Sequence, residues 1–348
     1  MKRIIVLVTA VLLASTMLFA APIGAPAATV RLTKTTPILV ADLEAEVARY
    51  QASAVKNGAD PASVDPLQIL GLLINNELFR QGAARDGVKI TDSMVDQAYA
   101  SQKASIEANY GQMLTDDEFK QVVNSNFGTV EAYKKMISEQ LMVDTYVKMK
   151  KTSELNKPIS IADTDISSFY RKNKTQFVSP ETVKLSHIFM PFVEDAQINA
   201  ENKNIMEGVA KQLSSGTLTF EKAVVAYSQD TKSKSKAGDI GWLTMDDTQA
   251  LQGLGETFFD VAFATEVGDT SGVVTSTTGL HILKILAYNE TKILGLDDKI
   301  NPDTTTTIRD YIKAQLTGAK QQEVYYSAIN SLVEDLRKSA SVNILYKK

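Results

Sequence analysis

The spacing of apolar residues changes twice along this chain, and the two changes divide it into three segments. Up to about residue 175, apolar residues recur every three or four positions, as on the buried face of an α-helix. After Pro180 an apolar run rich in β-forming residues, 183–190, opens a mixed segment, and from Thr304 the helical spacing returns. The pattern predicts an all-α segment, then an α+β segment, then more helix.

Several helices of the first segment have recognisable boundaries. One apolar stripe, between Pro66 and Gly87, fits a single helix, and another helix is predicted near 163–172. Thr115 and Glu118 have the spacing of a capping box, in which each side chain bonds the other residue's backbone N–H. Gly128 and Thr129 introduce a further helix.

The last segment cannot bury its apolar face alone. Its helical stripe runs from Ile308 to Leu336, and Val342, Ile344 and Tyr346 then alternate as in a strand. One helix and one strand need a partner, so we expect them to dock on the first segment, with the strand beside residues 30–32. The predicted architecture is an α+β domain, 178–289, inserted in a split helical domain made of 29–175 and 300–348.

The N-terminus has the three parts of a secretory signal peptide, predicted over residues 1–28. Lys2 and Arg3 precede an apolar run, 4–19, and Ala25-Pro26-Ala27 has the small-x-small pattern of a cleavage site. The alternative is a retained membrane anchor, because the apolar run is nearly long enough to span a bilayer. Either reading predicts export, to the periplasm or to the outer face of the cytoplasmic membrane.

Composition excludes several classes of protein. The chain has 348 residues and no cysteine, so it has neither disulfides nor thiolate metal ligands, and its fold must depend on core burial. With 44% hydrophobic residues it has enough apolar surface for that. The formal net charge of −4 offers no broad basic surface for nucleic acid, so no nucleic-acid partner is expected.

The α+β segment begins with the 183–190 strand. A helix ending at Gly216 follows, a shorter helix begins after Thr219, and glycine-rich turns and short strands continue to Tyr288. The predicted element order is β-α-α-α-β-β, a compact α+β fold.

Both histidines of the chain lie in this segment. His187 is in its first strand and His281 in its last. If the two strands are central neighbours in an antiparallel sheet, both rings can lie on the same face. Two strand histidines are, in isolation, more commonly hydrogen-bonded core residues than catalytic ones.

Short motifs between the histidines carry a resemblance to a known family. In chain order they read Tyr227-Ser228-Gln229-Asp230, Gly238-Asp239-Ile240-Gly241-Trp242, Phe258-Phe259-Asp260-Val261-Ala262-Phe263, Gly268-Asp269-Thr270-Ser271 and Gly279-Leu280-His281-Ile282. Their order over roughly 181–288 resembles the parvulin family of peptidyl-prolyl isomerases. The helical remainder resembles, more loosely, the SurA and PrsA kind of exported parvulin chaperones.

The resemblance implies a four-stranded antiparallel sheet with helices, inserted in a split SurA-N-like helical domain. It also implies site residues by position. The implied catalytic residues are His187, Asp230, Ser276 and His281, and the implied proline pocket consists of Ile240, Leu254 and Phe258. The sequence departs from the family pattern at Ala237, where a glycine is usual, and at Thr278, where relatives have Phe or Ser.

The implied reaction is the rotation of X-Pro peptide bonds in unfolded or newly exported polypeptides. Its barrier of roughly 18–20 kcal/mol comes from amide resonance, and no covalent bond breaks. A pocket that binds the twisted amide better than either planar form is sufficient for catalysis. No metal, nucleotide or redox cofactor is required.

Alternatives stay open at this point. The parvulin domain could be catalytically silent, which would make the protein a binding-only holdase. Lys232, Lys234 and Lys236 could recognise acidic or phosphorylated residues before proline, although a solvated loop is the commoner explanation of such a run. A Ser/His hydrolase is disfavoured, because the G-x-S-x-G motif and a third histidine are missing. Homodimer formation and membrane proximity through an uncleaved signal segment are undecided.

Overall fold

A computed structural model describes residues 24–111 and 113–347. The described chain forms two compact units, one that runs up to Ile159 and resumes at Ala319, and one that comprises Ser160–Gly318. Most of the predicted signal peptide, residues 1–23, lies outside the described residues. The predicted cleavage motif overlaps the first strand, in which Ala27 and Ala28 are buried in the core. Cleavage there stays a prediction.

The elements are numbered along the chain. The helices are α1 (Val40–Lys56), α2 (Pro66–Arg85), α3 (Asp92–Tyr110), α4 (Asp116–Phe127), α5 (Val130–Leu155), α6 (Asp163–Lys172), α7 (Ala196–Ser214), α8 (Phe220–Tyr227), α9 (Thr248–Leu254), α10 (Glu256–Ala264) and α11 (Ile308–Lys338). The strands are β1 (Pro26–Arg31), β2 (Thr35–Leu39), β3 (Val178–Ser179), β4 (Thr182–Pro191), β5 (Asp239–Thr244), β6 (Thr270–Thr275), β7 (Gly279–Asn289), β8 (Lys292–Ile293) and β9 (Ser341–Ile344). None of these helices is both long enough and apolar enough to cross a membrane.

Helix starts follow the capping signals in the sequence. The capping box is present at α4, where Thr115 and Glu118 exchange side chain-to-backbone hydrogen bonds. Thr129 caps α5 by accepting from the backbone N–H of Ala132. Pro66 occupies the first turn of α2, where its missing N–H leaves no helical bond unmade.

The last strand, β9, lies beside the first strand, β1, as was expected from its need for a partner. The unit's three-stranded sheet has the order β2-β1-β9, and Val30 is paired with Val342. Gln81 of α2 fixes the β1–β2 turn, because its Oε1 accepts from the N–H groups of Leu32 and Thr33 at 2.9 and 2.8 Å. The second part of α11 contributes Leu332 and the apolar residues around it to this core.

The second unit contains the predicted four-stranded antiparallel sheet, in the order β5-β4-β7-β6. The predicted element order β-α-α-α-β-β is wrong, because β5 follows α8 and two helices, α9 and α10, separate it from β6. The two glycines that suggested a turn are Gly238, just before β5, and Gly241, within β5. Gly241 has a φ of +88° and is paired with Leu185 next to an irregularity in the β4–β5 ladder.

Helix α6 matches its predicted bounds but packs with different residues than expected. Ile166 forms a small core with Phe177, Leu294 and the first turns of α11, all within the second unit. The predicted helical domain had included this helix. The domain bounds stay a prediction, with 29–175 and 300–348 forming the split helical domain and 178–289 the inserted α+β domain.

Candidate functional site

The two histidines face each other at the centre of the four-stranded sheet. β4 and β7 are its central strands, and Phe189 is paired with His281, so His187 lies diagonally across from His281 on the same face. The Nδ1 atoms of the two rings are 3.2 Å apart. His187 is 7% exposed and His281 is 1% exposed. The expectation that both rings share a face is confirmed.

The far nitrogen of each ring has a different partner. His187 Nε2 lies 3.0 Å from Oδ2 of Asp230. His281 Nε2 lies 2.8 Å from Oγ of Ser276, whose oxygen also accepts from the N–H groups of Thr278 and Gly279. Four of the seven predicted site residues therefore form one continuous chain of hydrogen bonds.

The charge of Asp230 sets the direction of every bond in this chain. Partial burial alone would raise the pKa of Asp230, but hydrogen bonds from Ser233 and His187 lower it to about 2. An ionised carboxylate only accepts hydrogen bonds, so His187 donates through Nε2–H and, when neutral, accepts at Nδ1. His281 then donates through Nδ1–H, and its Nε2 accepts from the Ser276 hydroxyl.

Both rings are held in the neutral form. Burial, together with the neighbouring His187, lowers the pKa of His281 to about 3. Burial also lowers the pKa of His187, although the hydrogen bond from its ring to Asp230 opposes the shift. Neutral rings are what the alternating donors and acceptors of the chain require.

The loop between α8 and β5 presents Asp230. The Ser233 hydroxyl donates to Oδ2 of Asp230, and the backbone N–H of Lys232 donates to Oδ1 at 3.1 Å. Ser228 Oγ, 2% exposed at the residue level, accepts from the N–H of Phe189 at 3.2 Å and so ties the loop to β4. Several independent bonds therefore fix the position of the carboxylate.

The loop closes against β4 through two residues with positive φ. Gly238 has a φ of +81°, and its carbonyl accepts from the N–H of His187 at 2.9 Å. Ala237 has a φ of +55°, the only non-glycine residue with positive φ among those described. The departure from the family pattern at Ala237 therefore lies where the backbone favours glycine.

The three residues predicted to form the proline pocket differ in exposure. Ile240 is 38% exposed and lines a cavity of about 500 Å³ together with Asp230. Leu254 is half-buried, and its carbonyl accepts from the N–H of Thr277, next to Ser276. Phe258 is 0% exposed and packs edge-on against the His281 ring, with centroids 4.9 Å apart. Phe258 therefore supports the histidine from within the core.

Two protein-family models match this chain. A PPIC-type peptidyl-prolyl isomerase domain matches residues 187–287, and a SurA-like N-terminal domain matches residues 1–147. The first match begins at His187 and includes the whole hydrogen-bond chain. This chain therefore contains a PPIC-type peptidyl-prolyl isomerase domain and a SurA-like N-terminal domain.

Relatives of this chain include a PrsA foldase and a SurA chaperone. The foldase protein PrsA of Clostridium botulinum (strain Langeland) is 26% identical over 281 residues, which cover 80% of this chain and 73% of the relative. The chaperone SurA of Nitrosococcus oceani is 29% identical over 256 residues, which cover 72% of this chain but 56% of the relative. The chain thus spans a little over half of that SurA.

Solved structures similar to this chain include the peptidylprolyl isomerase PrsA of Bacillus anthracis. It is 20% identical, with a TM-score of 0.28, and the match covers 76% of this chain and 97% of that one. A second is one of the SurA-like chaperones of Campylobacter jejuni, 20% identical with a TM-score of 0.34, covering 92% of this chain and all of the other.

The sequence analysis missed two residues of the parvulin site. The Phe189 ring is stacked on His187, with centroids 5.6 Å apart, and lies 4.7 Å from the centroid of His281. Its position two residues after His187 on one strand places both side chains on the same face, which was a usable signal. Ser233 was hidden in the lysine-rich run, and only the fold brings its hydroxyl to Asp230.

The parvulin site offers a fixed negative charge beside partly exposed apolar side chains. Among residues 24–111 and 113–347, no cluster of three or more histidine, aspartate and glutamate side chains is arranged to hold a metal ion. The groups present can position an amide and act on it electrostatically. The domain is that of a peptidyl-prolyl cis-trans isomerase.

Proposed function

We propose that this chain accelerates the cis–trans isomerisation of X-Pro bonds in unfolded or newly exported polypeptides, without covalent catalysis. The observation that carries the proposal is the continuous chain from Asp230 through His187 and His281 to Ser276, inside a PPIC-type domain. The foldase and chaperone relatives support a polypeptide substrate and a location outside the cytoplasm.

The negative charge of Asp230 acts on the substrate amide. A planar amide owes its barrier to a resonance form with negative charge on oxygen and positive charge on nitrogen. A carboxylate beside the carbonyl oxygen disfavours that form, and it disfavours the twisted amide less because twisting removes the resonance. Since the planar state is raised more than the twisted one, the barrier falls.

The histidine pair keeps Asp230 ionised and in place. His187 Nε2–H donates to the carboxylate, and the pair can make only one arrangement of bonds while both rings are neutral. A fixed charge needs no reorganisation when the amide twists, which is the advantage of a preorganised site. His187 and His281 thus act as positioning residues.

Apolar side chains around the carboxylate would grip the proline ring. Ile240 is exposed enough to touch a substrate, and Phe189 and Leu254 are partly exposed. Phe258 would act indirectly, by holding the His281 ring. The helical unit, which matches the SurA-like N-terminal domain, would hold other segments of the same unfolded polypeptide.

Replacement of Asp230 tests the proposal. Asp230→Asn keeps the shape but removes the charge, and we expect kcat/KM on an Ala-Pro peptide to fall roughly 10- to 100-fold, the worth of a hydrogen bond to a charged group. Exchange NMR of the peptide measures the rate without a coupled protease. Asp246→Asn, at an exposed position away from the site, is the matched control.

The exchange rate measured with the wild-type protein decides whether the proposed activity is present. A well-folded sample that does not accelerate exchange between the two peptide isomers contradicts the proposal. Equal rates for Asp230→Asn and the wild type would keep the activity but remove Asp230 from the mechanism.

A further inference from the structure

The cavity beside Asp230 contains more charge than the isomerase mechanism uses. Its volume is about 500 Å³. The residues that line it are Lys184, Asp230, Lys232, Ser233, Lys236, Asp239, Ile240, Gly241 and Asp303. The proposed mechanism uses Asp230 and Ile240, which leaves three lysines and two further aspartates without a role.

Most of these charges already have partners. Lys184 Nζ lies 3.3 Å from Oδ2 of Asp239, so these two residues neutralise each other. The carboxylate of Asp230 accepts hydrogen bonds from Ser233, His187 and the backbone of Lys232. The Lys184 ammonium group and the carboxylates of Asp239 and Asp230 are therefore already engaged.

Lys232 and Lys236 are different. Both are exposed, and among the residues that the structure describes neither ammonium group has an ion-pair partner within 4.0 Å. Lys234, between them in the sequence, points elsewhere, because its Nζ donates to the carbonyl of Ser228 at 2.9 Å. Two free cations therefore line the cavity next to the catalytic carboxylate.

A short hairpin of the same unit contributes an aspartate to the lining of this cavity. Lys299 is paired with Thr307, and the N–H of Ile300 donates to the carbonyl of Thr306 at 3.0 Å. Asp303, at the tip of this 299–307 hairpin, lines the cavity, and its side chain has no ion-pair partner among the described residues. The chain thus places one of its own carboxylates in the cavity that contains the two free lysines.

We propose that this cavity is a subsite for a carboxylate side chain of the client polypeptide next to its proline, read by Lys232 and Lys236, and that Asp303 competes with the client for it. The inference rests on the proposed function. It assigns a role to two of the lysines that the sequence alone could not distinguish from a solvated loop.

The test compares three peptides that differ in the residue before proline. Exchange NMR gives kcat/KM for Ala-Glu-Pro-Phe, Ala-Lys-Pro-Phe and neutral Ala-Ala-Pro-Phe. We expect the glutamate peptide to exceed the lysine peptide by about two- to fivefold, the range for partly exposed ion pairs. The preference should shrink as salt concentration rises, since exposed charges are screened.

Variants separate the subsite from general charge effects. Lys232→Gln combined with Lys236→Gln should abolish the preference, whereas Lys211→Gln combined with Lys222→Gln, which changes the net charge equally on α7 and α8, should retain it. Asp303→Asn should raise kcat/KM for the glutamate peptide about twofold relative to its effect on the neutral peptide. Asp246→Asn is the control for that change.

Chemical-shift titration with the same peptides measures binding apart from turnover. Equal affinity for the glutamate and lysine peptides, or a preference that survives the double lysine variant, overturns the subsite. If no peptide is accelerated, the proposed function fails, and the titration alone then decides the subsite. If the neutral peptide is accelerated without any charge preference, the function stands and the subsite fails.

Discussion

His187 and His281 meet through their Nδ1 atoms at 3.2 Å, and this contact can hold only one proton. A proton on both nitrogens would set two donors against each other, so the rings must take opposite roles at this contact. The ionised Asp230 at one end makes His187 the acceptor there. The state of a carboxylate on one loop is thereby coupled to a serine hydroxyl in another.

Ser276 completes this chain, and its removal should destabilise the isomerase unit. Ser276→Ala leaves His281 Nε2 and the N–H groups of Thr278 and Gly279 without their partner. We expect the free energy of unfolding to fall by about 1–3 kcal/mol. Urea unfolding followed by the fluorescence of Trp242, the only tryptophan, measures it.

Two further substitutions serve as comparisons for Ser276→Ala. Ser276→Thr retains the hydroxyl and should recover most of the stability. Ser214→Ala, at an exposed position on α7, should change it by less than about 0.5 kcal/mol. A loss as large for Ser214→Ala as for Ser276→Ala would contradict this account of the bonds.

The neutral histidines predict a loss of stability in mild acid. Above pH 6.5, His281 is neutral in both the folded and the unfolded chain. The pKa of His281 in the folded state is lowered from 6.5 to about 3. Between pH 6.5 and 3, the unfolded state therefore binds a proton that the folded state does not. Stability should therefore fall as pH falls from 6.5 towards 3.

Carboxylates add to this loss only at lower pH. The pKa of Asp230 is lowered from 3.8 to about 2, so its stabilisation is present above pH 3.8 and is lost as pH falls through about 2. Unfolding free energies at pH 7.5, 6 and 5 isolate the histidines. A ring of His281 that titrates near pH 6.5 by NMR would refute the buried neutral pair.

Gly279 opens β7 and is paired with Pro191 at the end of β4. A Cβ there would overlap the carbonyl oxygen of Met190 and lie 2.8 Å from Cε2 of Phe189. Gly279→Ala should cost about 3 kcal/mol or more, because backbone cannot move aside as a flexible side chain can. Gly272→Ala adds a Cβ where nothing lies within 4 Å, and it should cost less than about 0.5 kcal/mol. Thermal unfolding of the two variants and the wild type measures both changes in the free energy of unfolding.

Ala237 is the position where a glycine should improve the protein. Its left-handed φ of +55° costs a non-glycine residue about 1–2 kcal/mol, and the greater freedom of glycine in the unfolded chain returns only part of that. Ala237→Gly should raise the free energy of unfolding by about 0.5–1 kcal/mol. Ala226→Gly, inside α8, should lower it by about as much, and equal signs for the two would exclude backbone strain at Ala237.

Local signals in the sequence predicted much of the fold. Capping residues such as Thr115 and Thr129, and the alternation that ends at Tyr346, depend on neighbours close in sequence, so they could be read directly. Strand β5 was missed, because Gly238 and Gly241 resemble a turn whether or not a neighbouring strand pairs with them. Strand pairing depends on the neighbouring strand β4, which is distant from β5 in the sequence.

The candidate site was predictable in its residues but only partly in its geometry. The strand positions of His187 and His281 implied a shared face, which the structure confirms. The exposure of each side chain could not be predicted from its position in the sequence. Phe258 looked like a pocket floor and is buried, because the packing of α10 against the sheet decides which of its faces meets solvent.

The pairing of β1 with β9 sets an order of events during synthesis. Strand β9 is made near the end of the chain, so the helical unit cannot close its sheet until then, whereas Ser160–Gly318 is already complete. A nascent chain that stops at Gly318 contains every residue of the second unit but not the strand that covers the free edge of β1. In vectorial synthesis, β1 therefore has β2 available from the start and receives β9, its second neighbour, only after the whole second unit has been made.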